Sequence, residues 1–268
     1  MRVAADFRAA GLPPREVALL DFVETVTLAP FLIERRHWDG LRGHGWSDRE
    51  IARAAVGSAH FNYLNRVADG VGIRLDYPVS LGLALAPRGA PAAEPPRAAA
   101  RATAAGGTSA AAGRDDDADR GDAPELLAAL DVLPAAAPLV QEWRAHHLAG
   151  TPALPDALRA RLAAYGAALA FCPASLAWAR RRAARLGVPA AALDTLAAGE
   201  PDAPSDRERA LFAQTRRLLL EPGAVREEHV DALRAHGLDD RDVLQLTELA
   251  GYLSFEHRTV LALAAARA

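Results

Sequence analysis

The chain holds one thiol, Cys172, in the string Phe171-Cys172-Pro173-Ala174-Ser175-Leu176-Ala177-Trp178. A thiolate attacks peroxides and disulfides, and its reactivity follows its pKa and its exposure. With one cysteine there is no intrachain disulfide and no cysteine-rich metal site. A helix cysteine between Phe and Pro also reads as a small buried hydrophobe, and Trp178 reads either as core or as a ligand platform. His60 lies on a helix with Asn62, Asn65 and Arg66. Such a polar stripe either pairs internally or lines a ligand site, because buried polar groups need partners. Cys172 and His60 are therefore the candidate catalytic residues, and Asn62, Asn65, Arg66 and Trp178 are candidate binding residues. His146-His147 has no partner at metal-ligand spacing in the sequence, so neither a metal nor another cofactor is expected.

The elements that must position these residues come from a repeat. Residues 15–66 align without a gap on 207–258 at an offset of 192, with 15 of 52 positions identical. Eight of the identities are His37 and the positions of Asp39-x-Leu41-Arg42-x-His44-Gly45-x-x-Asp48-Arg49, matched by His229 and Asp231-x-Leu233-Arg234-x-His236-Gly237-x-x-Asp240-Arg241. The apolar period predicts a helix over 16–28, stopped by Pro30. A second runs over 34–43 and ends at Gly45. A third is capped by Ser47 with Glu50 and runs to about Gly70. The second copy is predicted at 207–220, 226–235 and from 240 onward. His37 and His229 recur, which suits a structural role. His44 and His236 precede the helix-ending glycine, where an imidazolium can meet the helix dipole. Ahead of the second copy, short helices are predicted at 124–130 and 136–148, then one long helix from Asp156 to Leu186 that carries Cys172. The only strand-like run, a weak one, is 73–85.

Residues 86–123 contain Ala, Pro, Gly, Arg and Asp with no aromatic and no large aliphatic side chain. They cannot bury enough apolar surface to offset chain entropy and are predicted to be a disordered linker. The expected domains are 1–85, incomplete at its N-terminus, and 124–268. The first copy has lost its cysteine helix, or its start lies upstream of Met1. The formal charge is −3, and all 31 basic residues are Arg. This balance gives no reason to expect nucleic-acid or membrane binding, and the cluster Arg180-Arg181-Arg182 with Arg185 reads as a solvated face. Without a signal-peptide pattern or a long apolar run, the chain is expected to be cytoplasmic.

The layout of a cysteine helix followed by a helix pair with a Gly-Leu/Trp-x-Asp turn resembles the AhpD-like alkylhydroperoxidase and carboxymuconolactone decarboxylase superfamily. Arg15-Glu-Val-Ala-Leu-Leu-Asp-Phe22, Gly45-Trp-Ser-Asp48 and Phe61-Asn-Tyr-Leu-Asn-Arg66 resemble its peroxidase-related branch. Leu154-Pro155 and Tyr252-Leu-Ser-Phe255 resemble a more divergent one. The resemblance implies an all-α fold of duplicated AhpD-like domains, assembly as a homo-oligomer, and thiol chemistry on a small hydroperoxide with an external thiol reductant. The family uses Cys-x-x-Cys, a His four residues later and a Glu about three turns earlier. One thiolate becomes a sulfenic acid, the second cysteine resolves it, and His and Glu move protons. Here those positions are Cys172, Ser175, Ala179 and a residue near Ala160. Ser175, at the resolving position, joins the candidate binding residues.

Three functions follow. The chain is a hydroperoxidase acting through Cys172, or a degenerate member that keeps the fold for assembly or small-molecule binding. The third is a cofactor-free decarboxylase or lactone enzyme, for which His60 and His257 are the available proton-transfer groups.

Overall fold

The computed structural model describes residues 6–73 and 124–267. Among these every regular element is helical and none is a strand. The linker 86–123 and the run 73–85, apart from Ile73, lie outside the described residues. Eleven α-helices are described: α1 Pro14–Leu28, α2 Arg35–Gly43, α3 Asp48–Gly70, α4 Pro124–Ala129, α5 Ala137–Leu148, α6 Asp156–Leu169, α7 Pro173–Arg185, α8 Ala190–Ala197, α9 Asp206–Leu220, α10 Glu227–Ala235 and α11 Asp240–Ala264. Among the described residues, no helix is long and apolar enough to cross a membrane.

The elements of the two sequence copies recur at the same offset of 192. Helices α1 and α2 map onto α9 and α10 residue for residue. The 3-10 turn Pro30–Leu32 maps onto Pro222–Ala224, and α3 and α11 start in register at Asp48 and Asp240. The densest block of identities has a local cause. Arg42 donates to Asp39 Oδ1 (2.6 Å) and Asp48 Oδ1 (2.7 Å), and Arg234 donates to Asp231 Oδ1 (2.9 Å) and Asp240 Oδ1 (3.1 Å). Each arginine thus joins the end of one helix to the start of the next. Between them Gly45 (φ 83°) and Gly237 (φ 80°) take the left-handed conformation. Their N–H groups bond Arg42 O and Arg234 O, and the next N–H groups bond Leu41 O and Leu233 O, the Schellman pattern that satisfies the last carbonyls of a helix. His37 and His229 close the opposite end. Their Nδ1 atoms accept from the N–H of Glu34 (3.0 Å) and Arg226 (2.9 Å), three residues back.

Helices α3 and α11 form the central pair. An added Cβ at Gly70 would meet Thr247, and one at Gly251 would meet Tyr63. Contacts that move down α3 therefore move up α11, and the pair is antiparallel. Across it, Arg66 on α3 donates to Leu219 O at the end of α9 (3.1 Å), and Arg258 on α11 donates to Thr27 O at the end of α1 (2.8 Å). Position 258 is 66 plus 192, and 219 is 27 plus 192, so the two bonds are one contact made twice in opposite directions. Each arginine is also held by its own helix, Arg66 by Asn62 Oδ1 (3.0 Å) and Arg258 by Ser254 Oγ (2.6 Å), again equivalent positions. Trp38 adds a bond across the halves, from Nε1 to Ala262 O (2.9 Å).

One apolar core crosses the linker, joining Phe22, Val26, Trp38 and Ile51 to Leu126, Leu130, Tyr252, Phe255 and Leu263. The second is built from α6, α7, α8, α9 and α11 around Leu162, Leu196, Phe212, Leu246 and Leu253. Helix α8, which has no clear apolar period in the sequence, is held by Leu193 and Leu196, both buried.

Candidate functional site

The expected single helix from Asp156 to Leu186 is two helices. Helix α6 stops at Leu169, and Cys172 is the N-cap of α7. Phe171 sits between them in the left-handed region (φ 51°), a conformation unfavourable for a residue with a large side chain. Cys172 therefore lies at the positive end of a helix dipole, where a thiolate gains stability. Burial overrides this. The side chain is 1% exposed, within the core that contains Tyr252 and Phe255. Its thiol donates to Ser175 Oγ (3.3 Å). Burial pushes the thiol up to about 11; the Ser175 hydrogen bonds pull the other way, and the charges of Glu256 and Glu125 add to the rise. From the first half, Phe31 meets the Phe171 ring edge-on at 5.3 Å. Ala160 and Ala179 are buried too.

A buried polar network lies in the second half. Arg144 Nε donates to Glu256 Oε2 (3.0 Å), and Tyr252 Oη donates to the same oxygen (2.8 Å). The Arg144 guanidinium stacks on Trp178 at 3.6 Å from the ring centroid. Burial alone would raise the Glu256 carboxyl, but the charge of Arg144, with lesser help from His257 and the hydrogen bonds, holds it below the usual carboxylate range. Trp178 is thus the stacking partner of a structural arginine. His257 is fully buried, neither ring nitrogen has a hydrogen-bond partner, and burial lowers its pKa to about 4.

The other candidate residues separate. Asn62 and Arg66 are buried and hold the two halves together, while Asn65 and His60 are exposed. The His60 ring lies 5.7 Å from Trp143 and 6.1 Å from Tyr63. The arginine cluster is paired in part, Arg180 with Asp194 (2.6 Å) and Arg181 with Glu125 (3.6 Å).

The site that the sequence did not indicate lies at the end of α5. A cleft of about 360 Å³ opens between the last turn of α5, the start of α6 and the first turns of α11. His146, His147, Arg159, Arg241, Gln245 and Glu248 line it. The donor atoms of His146, His147 and Glu248 all lie within 4.8 Å of one another. His147 is buried, stacked on Tyr252 at 5.2 Å. Burial first, then the nearby His146 and Arg159, lowers its pKa to about 4, so the ring is neutral. Arg159 donates to His147 O and Leu154 O, which fixes the end of α5. His147 Nε2 and Gln245 Oε1 are buried without a hydrogen-bond partner. Glu248 is 101 residues from His147, on another helix, so no local spacing could join them. The only sequence signal was the adjacent histidine pair itself. Compared with family models, curated proteins and solved structures, the chain matches none.

Proposed function

We propose that this protein is an AhpD-like helical module whose thiol chemistry has lapsed and whose fold is kept for binding a small molecule in the α5–α11 cleft. The observation that carries the first part is the sealed thiol. Cys172 is buried, bonded to a serine hydroxyl and surrounded by groups that favour its neutral form. A peroxidase cycle needs a thiolate that peroxide can reach, a second thiol to resolve the sulfenate and a proton relay. Ser175 cannot resolve a sulfenate, and alanines stand at both relay positions.

The second part rests on the cleft, which supplies concavity, apolar wall from Leu244 and unpartnered polar atoms in one place, the features of a small-molecule site. The first reading, a hydroperoxidase, keeps one point in its favour, the place of Cys172 at the start of α7. Hydroperoxide consumption with an excess of dithiol separates the two. The lapsed reading expects the intact chain to be no faster than its Cys172→Ser variant.

A further inference from the structure

Buried polar atoms without partners need an explanation, and two of them, His147 Nε2 and Gln245 Oε1, belong to residues that line the same cleft. Beside them are the exposed His146 and the half-buried Glu248, with the donor atoms of the two histidines and the glutamate mutually within 4.8 Å. We propose that His146, His147 and Glu248 bind a divalent transition-metal ion of the zinc class, with Gln245 as a further oxygen donor. The proposal rests on the cleft being the binding site of this protein and names what fills it.

The donor chemistry selects the ion. Two imidazoles and one carboxylate suit zinc, nickel or cobalt, whereas magnesium and calcium prefer all-oxygen cages. A tetrahedral ion with bonds near 2.0–2.1 Å needs donors about 3.3 Å apart. The present spacing closes by side-chain rotation, because His146 and Glu248 are not fixed by burial. His147 is the anchored ligand. Tyr252 stacks on its ring and Arg159 holds its carbonyl. A hydrogen bond lost to water when a nitrogen is buried is regained when that nitrogen binds a metal, so the unpartnered Nε2 is the His147 nitrogen assigned as ligand.

The surrounding charge argues about the rest of the coordination. Arg159 and Arg241 also line the cleft, and each opposes a bare cation. Glu248 offsets one of these charges. With Gln245 the protein fills four positions, and expansion to five admits a small-molecule donor, which the two arginines favour as an anion.

The test uses the full chain after chelator treatment. Zinc chloride is titrated by calorimetry, and cobalt(II) is followed by its visible absorption, whose intensity rises when coordination falls below six. The expected result is one saturable site per chain. His146→Ala and Glu248→Gln, both outside the core, should each weaken binding about tenfold or more and bleach the cobalt band. His44→Ala, an exposed histidine elsewhere, should change neither. No saturable binding, or binding equal in the parent and in both ligand variants, would overturn the proposal. The same titration on Cys172→Ser should match the parent, since the thiol is not a ligand. A metal result of either sign is thus separable from the peroxide assay that tests the lapsed thiol.

Discussion

His257 shows how a single residue can be read in two ways. From the sequence it is a proton-transfer candidate on the third helix of the second copy. In the structure it is a fully buried imidazole beside Glu256 and Arg258, packed with its Cε1 close to Gly166. Burial is the leading cause of its depressed pKa of about 4; the Glu256 charge works against that depression and the Arg258 charge adds to it. The sign of the consequence follows. An unfolded chain protonates this histidine near pH 6.5, whereas the folded chain does not until about pH 4. Between these values the unfolded state holds the extra proton, so stability falls as pH falls. The slope from this one group approaches ~1.4 kcal/mol per pH unit. Urea denaturation of the chelator-treated chain at pH 7, 6, 5 and 4.5 should show that loss. His257→Leu, which keeps the volume and removes the titration, should lower the slope by up to that amount and leave the share of His147, whose pKa burial also lowers to about 4. An equal slope in the variant would mean that His257 is not buried as described. Cys172 is legible in the same divided way. Its identity and missing partners are in the sequence, while its place at a helix start depends on a chain reversal at Phe171 that no glycine announces.

At the scale of elements, the helices of the repeat were legible because their ends carry chemistry. Pro30, Gly45, Ser47 and Glu50 mark caps and stops that act within a few residues. The break between α6 and α7 has one signal, Pro173 in the first turn of α7, a residue that a helix interior does not accept, set against the helix formers of Ala168-Leu-Ala-Phe171. Helix α8 was not legible, because its alanines give no apolar period. The crossing of α3 and α11 depends on small residues where the backbones approach. A Cβ added at Gly251 would lie 2.9 Å from Tyr63 Cδ2, closer than side chains pack. Gly251→Ala gains about 1 kcal/mol in helix propensity. It should nevertheless destabilise the protein by up to about 2 kcal/mol net, since overpacking costs ~1–3 kcal/mol. Equal or higher stability of that variant in thermal unfolding would mean that the central pair is more loosely packed than described.

Across the whole molecule the two halves hold each other by reciprocal contacts. Arg66 and Arg258 make the same bond in opposite directions, and the core between them is shared. This use of the Asn-Tyr-Leu-Asn-Arg string was open in the sequence, because a polar stripe on a helix looks the same whether it grips a partner carbonyl or a ligand. Replacing Arg66 by Met removes bonds to Leu219 O and Asn62 Oδ1 and should cost about 1–3 kcal/mol. Burial, and after it the charge of Arg66, presses down the pKa of Arg258, so the double variant Arg66→Met, Arg258→Met should be more destabilised than the sum of the singles by ~0.5 kcal/mol or more. Strict additivity in denaturant titrations would show that the two guanidinium groups do not sense each other.

The proposed function turns on whether Cys172 reacts with hydroperoxide, and hydroperoxide consumption measures that directly. The full chain is given a small organic hydroperoxide and excess dithiol at pH 7 to 8, beside Cys172→Ser and a no-protein control. With the thiol buried and its pKa near 11, about one chain in a thousand carries a thiolate at pH 8 and about one in ten thousand at pH 7. The account predicts that the parent and Cys172→Ser consume peroxide at the same rate, close to the dithiol background. Rapid, saturable consumption by the parent that disappears in Cys172→Ser would contradict it and make this chain a working thiol peroxidase.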